Sequence, residues 1–201
     1  MKLLGILASI ILLIAAGVAG LIYNGVIKFD ETMFSQASIK SSVGGPFELT
    51  DQNGQTFSSQ QLDGKPFLVF FGFTHCPDVC PTTLNEVANH LDDEKVKASG
   101  LRAVFISVDP ERDKPEQMKD YVASFNPEIV ALTGTEEQIA DVAKKYRAYY
   151  AKVPQDDDYT MDHSALVYLM DANGQYAGSF NFQEDEKSRT AKLHRLVGAS
   201  S

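Results

Sequence analysis

The chain has 201 residues, with 18 Lys and Arg against 27 Asp and Glu, a formal net charge of −9. That balance argues against general nucleic-acid binding, which needs a basic surface, and suits a soluble domain. Two cysteines cannot supply a disulfide framework, so the core must hold by packing.

Lys2 is followed by Leu3–Tyr23, 21 residues without a charge, long enough to span a bilayer. A short basic leader stays on the cytoplasmic side, so the bulk of the chain is expected to be translocated. The rival is a cleaved signal peptide, for which Gly17-Val-Ala19 offers small residues at a cut site. A retained single-pass anchor is favoured because the apolar run continues through Leu21-Ile22-Tyr23. The stretch carries no Arg-rich mitochondrial leader and no cysteine for a lipid. The expected setting is the outer, periplasmic face of a bacterial plasma (inner) membrane. The chain then divides into an anchor over 1–23, a polar tether over 24–43 and one domain over 44–201, which is enough chain for a real core.

Two Asn-Gly pairs mark hairpins, because Asn-Gly tolerates the positive φ of tight turns. Phe47-Glu-Leu49 and Thr56-Phe57 flank the first, Asn53-Gly54; Ala165–Met170 and Tyr176–Phe182 flank the second, Asn173-Gly174. Between them Phe67–Phe71 reads as a buried central strand stopped by Gly72. Leu84, Val87, Ala88 and Leu91 follow at helical spacing, with Pro81 suited to the first helical position. Next come a strand over Ala103–Val108 and a helix with Met118, Tyr121, Val122 and Phe125 on one face, which Asp113 and Glu116 are expected to open as a capping box. A strand over Ile129–Leu132 precedes a second capping box, Thr135 with Gln138, and the helical series Ile139, Val142, Ala143, Tyr146. Ala148–Asp162 reads as a loop and a candidate docking surface; the last helix covers Ser188–Val197. Alternating strands and helices imply a parallel core sheet covered on both faces, made mixed by the terminal hairpin. The fold class is α/β, a thioredoxin-like mixed sheet with flanking helices and an N-terminal β-hairpin.

The chemistry gathers at Cys76 and Cys80, each followed by proline, on the turn between central strand and first helix. The positive end of a helix favours an anion, so a cysteine there tends toward thiolate. Such a pair forms a redox disulfide or binds a soft metal; inert core thiols are the bland alternative. Of the four histidines, His90 and His194 read as solvated helix faces and His75 as a loop-shaping residue. His163 precedes the strand Ala165–Met170, and in a thioredoxin-like layout that loop lies against the active-site turn. A buried structural histidine is the alternative to a ligand there. Cys76, Cys80 and His163 would suit copper, thiolate for Cu(I) and imidazole also for Cu(II). Zinc stays open, although structural zinc sites usually take four protein ligands. Asp78 and Asp162 are candidates to orient the ligands or act by charge, or else are solvated loop residues. Met161 is a weak soft donor or a packing residue.

Three blocks in order, Gly72-Phe-Thr-His-Cys76-Pro-Asp-Val-Cys80-Pro-Thr-Thr83, Ile106-Ser-Val-Asp109-Pro-Glu-Arg-Asp113 and Asp162-His163-Ser, resemble the motifs of the Sco/SenC copper chaperones that help assemble cytochrome c oxidase. The resemblance spans roughly residues 43–198 and includes the anchor. It implies a thioredoxin-like fold binding one copper through Cys76, Cys80 and His163. It also implies delivery to the dinuclear copper centre of oxidase subunit II, with another copper chaperone as a candidate donor. The rival is a thiol–disulfide oxidoreductase that keeps the oxidase's copper-site cysteines reduced, with Cys76 and Cys80 redox-active. Against it, redox thioredoxins use Cys-x₂-Cys and a proline before the strand, where this chain has His163. The peroxidase pattern fails, because Val69 and Phe73 stand where it needs proline and threonine.

Overall fold

The computed structural model describes residues 43–156 and 158–198. The stretch expected to be an anchor, and nearly all of the expected tether, lie outside the described residues. Among those described, no helix is long and apolar enough to cross a membrane.

The first half of the domain comprises β1 (Glu48–Asp51), β2 (Thr56–Ser58), β3 (Phe67–Gly72), α1 (Val79–Asp92), α2 (Glu94–Ser99), β4 (Arg102–Ser107) and α3 (Pro115–Ala123). The second comprises β5 (Ile129–Thr133), α4 (Glu136–Tyr146), β6 (Tyr150–Gln155), β7 (Asp158–His163), β8 (Val167–Met170), β9 (Tyr176–Phe180) and α5 (Glu186–Gly198). Seven strands form one mixed sheet in the order β2-β1-β5-β4-β3-β8-β9, and β6 and β7 form a separate pair. The β5-β4-β3 centre is parallel. An antiparallel hairpin extends each edge, through β1 against β5 and β8 against β3. This is a thioredoxin-like α/β domain.

All six residues of β3 are buried, as expected of a strand covered on both faces. Successive side chains leave on opposite faces. Phe71 packs on Tyr146 of α4 at 5.6 Å between ring centroids. Phe70 packs on Phe105 at 5.9 Å, and Phe105 on Tyr121 of α3 at 5.8 Å. Helices α3 and α4 therefore cover opposite faces, and each buried phenylalanine contributes about 1.5–3 kcal/mol by leaving water. The two Asn-Gly turns share one device. Asp51 accepts from the N–H groups of Asn53 and Gln55, and Asp171 from those of Asn173 and Gln175, each at 2.8 Å. The glycines take φ of 74° and 68°.

The capping box at Thr135 and Gln138 is present. The one expected at Asp113 is not: α3 starts at Pro115 after Lys114, and Asp113 turns inward instead. Pro81 is the third residue of α1 rather than its first, since the helix begins at Val79. Its missing N–H still costs nothing, because the first helical bond runs from Thr82 N to Asp78 O. The stretch read as a loop before His163 is the β6–β7 hairpin, paired from Tyr150 with His163 to Gln155 with Asp158.

His90 is buried rather than solvated, edge-on to Phe180 at 6.0 Å, and its Nε2 has no hydrogen-bond partner. The apolar face of α1 is wider than its stripe suggests because α5 covers its flank, tied by Arg189 to Glu86 at 2.9 Å. His194 pairs with Asp93 at 3.4 Å. Burial pushes the His90 imidazole below the usual 6.5. As pH falls through 6.5 the unfolded chain therefore takes up a proton that the folded ring resists, and stability is lost until the folded value is passed. His90→Leu removes that loss. Its melting temperature should fall less between about pH 7 and about pH 5 than that of wild type, and an identical fall would refute the assignment.

Candidate metal centre

The end of β3 and the start of α1 bring the two cysteines together. Gly72 closes the strand, Cys76 N donates to Phe73 O at 3.3 Å, and Cys80 stands in the first turn of α1. Cys80 N donates to Cys76 Sγ at 3.4 Å. Cys76 is half-buried, Cys80 fully buried, and neither is in a disulfide.

The third group arrives at the end of β7. His163 Nε2 lies 3.3 Å from Cys80 Sγ. Its other nitrogen, Nδ1, lies 3.1 Å from Ser164 O. A carbonyl only accepts, so Nδ1 donates to it and Nε2 is the ring nitrogen turned toward the sulfurs. Phe70 and Phe73 hold the ring edge-on at 6.1 and 5.8 Å. The ligand atoms of Cys76, Cys80 and His163 all lie within 4.8 Å of one another, the reach of a single ion.

A model of the family SCO1/SenC matches residues 35–198. The chain belongs to the SCO1/SenC family. An SCO2-like protein of Rickettsia prowazekii is 47% identical over 144 residues, covering 70% of each chain. The copper-bound structure of ScoI from Bradyrhizobium japonicum matches at 50% identity and a TM-score of 0.69, covering 77% of this chain and 99% of that one. BsSco, a member of the Sco family of cytochrome c oxidase assembly proteins in which a disulfide switch is identified, matches at 27% identity and a TM-score of 0.62 over 78% of this chain and 91% of that one.

The electrostatics of this SCO1/SenC site are asymmetric. The hydrogen bond with Cys80 holds Cys76 down to about 3 against the opposing effect of burial, helped by His163 and the N–H groups of Asp78 and Cys80. Cys80 moves the other way, pushed up by the same bond and then by burial. The shared bond thus favours the anion on Cys76 over Cys80. The helix N-terminus was expected to favour the anion at Cys80; burial and the neighbouring charge override it.

The remaining expected residues fall outside the cluster. Asp78 is exposed at the N-cap of α1 with no side-chain bond to the helix backbone, and Asp162 is exposed. Met161 is buried in the core and acts in packing. His75 shapes the loop. Thr74 Oγ1 gives its proton to Asp113 Oδ1 at 2.5 Å and so accepts from His75 Nδ1 at 3.1 Å.

Gly72 escaped sequence reasoning as a site residue. A Cβ there would lie 2.7 Å from Cys80 Sγ and 2.9 Å from the Phe105 ring. Its φ lies outside the left-handed region, so space is what it provides. Gly72→Ala should destabilise the fold by about 1–3 kcal/mol and displace the Cys80 sulfur. Denaturant melts and metal competition on one preparation check this; a variant matching wild type in both would contradict it.

Proposed function

We propose that this SCO1/SenC protein is a copper chaperone. It holds one copper ion, as Cu(I) or Cu(II), through Cys76, Cys80 and His163, and delivers it to the dinuclear copper site of cytochrome c oxidase subunit II. The observation that carries this reading is the convergence of three donor atoms within 4.8 Å of one another. One is the sulfur of a cysteine whose thiol is held well below its usual range, and one is the imidazole nitrogen turned toward the sulfurs. Two sulfurs and one imidazole suit copper, and three donors fall short of the four usual for structural zinc. A set this small, with Cys76 half-open to solvent, suits an ion that is cargo and must be handed on. The copper-bound relative at 50% identity supports the choice of metal, and the oxidase-assembly role of BsSco's family supports the destination.

In this reading Leu3–Tyr23 anchors the chain to the bacterial inner membrane, 24–43 is the tether, and 44–201 works on the periplasmic face. Another copper chaperone is the donor. Asp78 and Asp162 act on the site by charge from the rim. The test is the metal content of the reduced protein, competed against a Cu(I) chelator, then mixed with metal-free subunit II domain. One copper per chain that passes to subunit II is the expected result. Failure of the reduced protein to retain copper against a weak chelator ends the proposal.

A second reading has one observation in its favour, the free and half-exposed Cys76, whose thiol is held well down by its bond with Cys80. Its sulfur would attack a disulfide of the oxidase copper site and release one thiolate, which takes the Cys80 proton. Cys80 then attacks the mixed disulfide and releases the second. The target gains two electrons, and Cys76 and Cys80 become a disulfide that an external thiol must reduce. Against this, nucleophilicity falls as thiol pKa falls. Copper-free turnover lost in Cys76→Ser would favour it over delivery.

A further inference from the structure

The turn Asp109-Pro-Glu-Arg-Asp113, between β4 and α3, supplies no atom to the metal cluster. It nevertheless reaches both segments that do. Asp113 accepts from Thr74 N at 3.0 Å, two residues before Cys76. Arg112 reaches the hairpin that carries His163. Its Nε donates to Asp109 Oδ2 at 2.5 Å, and its Nη1 to Tyr159 O at 3.0 Å and to the Asp158 carboxylate at 3.4 Å. The guanidinium lies 3.8 Å from the Tyr159 ring centroid, and Tyr159 OH donates to Asp109 Oδ1 at 2.9 Å. Lys152 Nζ lies 3.7 Å from the same centroid and 2.5 Å from Glu111 of the turn.

The β6–β7 hairpin needs such a fastening. It shares no ladder with the seven-stranded sheet. Its base is closed by Ser164 N to Tyr149 O and Tyr149 N to Ser164 Oγ, each at 2.9 Å. A cavity of about 200 Å³, lined by Val108, Asp109, Ile139, Tyr150 and Met161 among others, lies between the hairpin, the turn and α4. Burial of Met161 holds the hairpin to the core, and the polar cluster holds it to the turn. His163 occupies the rung next to the base, so a tilt of the hairpin turns its ring rather than carrying it away. A turn of about 20° is enough to spoil a ligand's geometry.

We propose that Arg112 is a positioning residue for His163: through Asp109 and Tyr159 it latches the β6–β7 hairpin over the cysteine pair, and the opening of that latch sets how fast copper leaves. This rests on the copper reading above. The planar guanidinium suits the task because one rigid fork bonds the turn and the hairpin at once, which a lysine cannot do. The turn thereby fixes the Cys76 loop with one residue and the His163 arm with its neighbour.

The experiment compares wild type, Arg112→Met and Tyr159→Phe as full chains in detergent. In copper-free protein, Arg112→Met should speed amide hydrogen exchange in β6 and β7 about tenfold while β3 and β4 keep wild-type protection. In protein loaded with Cu(I), it should speed release to a chelator by about tenfold. Tyr159→Phe, which keeps the ring and loses the bond to Asp109, should move both in the same direction by less, and it serves if Arg112→Met fails to fold. In a His163→Ala background the Arg112 substitution should leave the release rate within about twofold, because its effect passes through His163. Unchanged exchange in both variants would overturn the latch. Equal acceleration of release with and without His163 would overturn the positioning role. Wild-type protein that holds no copper would overturn the metal reading and the release claim with it, and the copper-free exchange comparison would still decide the latch.

Discussion

His163→Ala is expected to weaken copper binding by about a hundredfold or more. Loss of a residue that merely orients a ligand already costs about 10–100-fold, and this substitution removes a donor atom itself. Among the described residues no other histidine, cysteine or carboxylate joins the clustered set of Cys76, Cys80 and His163. The fold should survive, because His163 ends β7 and packs edge-on to Phe70 and Phe73 rather than filling the centre of the sheet. Both thiols should stay titratable, which separates loss of the imidazole from loss of the cysteine turn. The measurement is chelator competition for Cu(I), with Cu(II) followed by its charge-transfer absorption. Wild-type affinity for both oxidation states in the variant would remove His163 from the site.

The parts of this molecule that could be read in advance are those whose signals are local. Phe67–Phe71, Gly72, two Pro-flanked cysteines and an amphipathic run lie together in the chain, so the strand, turn and helix that build half the site follow from neighbours alone. His163 was reached differently, through the topology that puts a pre-strand loop against that turn and through the motif it shares with a family. The β6–β7 hairpin was missed for a physical reason. Four of the six residues of β6 are exposed, Pro154 interrupts it, and no alternation marks a buried face. Its fastening is made by Arg112, 47 residues before Tyr159, and is invisible to any window along the chain. His90 is hidden from a local reading because the ring that packs on it, Phe180 of β9, lies about ninety residues away in sequence.

Asp113 is the case where a local signal and a tertiary one compete, and the energies separate them. As a helix cap, its loss would cost about 1 kcal/mol. The structure gives it another task. It is fully buried, and its carboxylate accepts from Thr74 N at 3.0 Å, Thr74 Oγ1 at 2.5 Å and Ser107 Oγ at 2.6 Å. His75 Nδ1 is 3.8 Å from Oδ1, on a half-exposed ring. Asp113→Ala strands the buried Ser107 hydroxyl and the Thr74 N–H, at about 1–3 kcal/mol for each unpaired donor. The expected loss is therefore about 3 kcal/mol or more, a large share of the ~5–15 kcal/mol that holds a domain together. Asp113→Asn should fare little better, since its amide sets donors against donors. Ser107→Ala alone should cost less, and combined with Asp113→Ala it should add less than it costs alone, because the bond to Asp113 is already gone and only the one accepted from Asp109 N is left to lose. Urea melts of wild type and the four variants give the answer: a loss of about 1 kcal/mol with additive effects would return Asp113 to the role of a cap. Where Asp113→Ala folds, copper affinity should fall with it, since Thr74 would no longer hold the loop that presents Cys76.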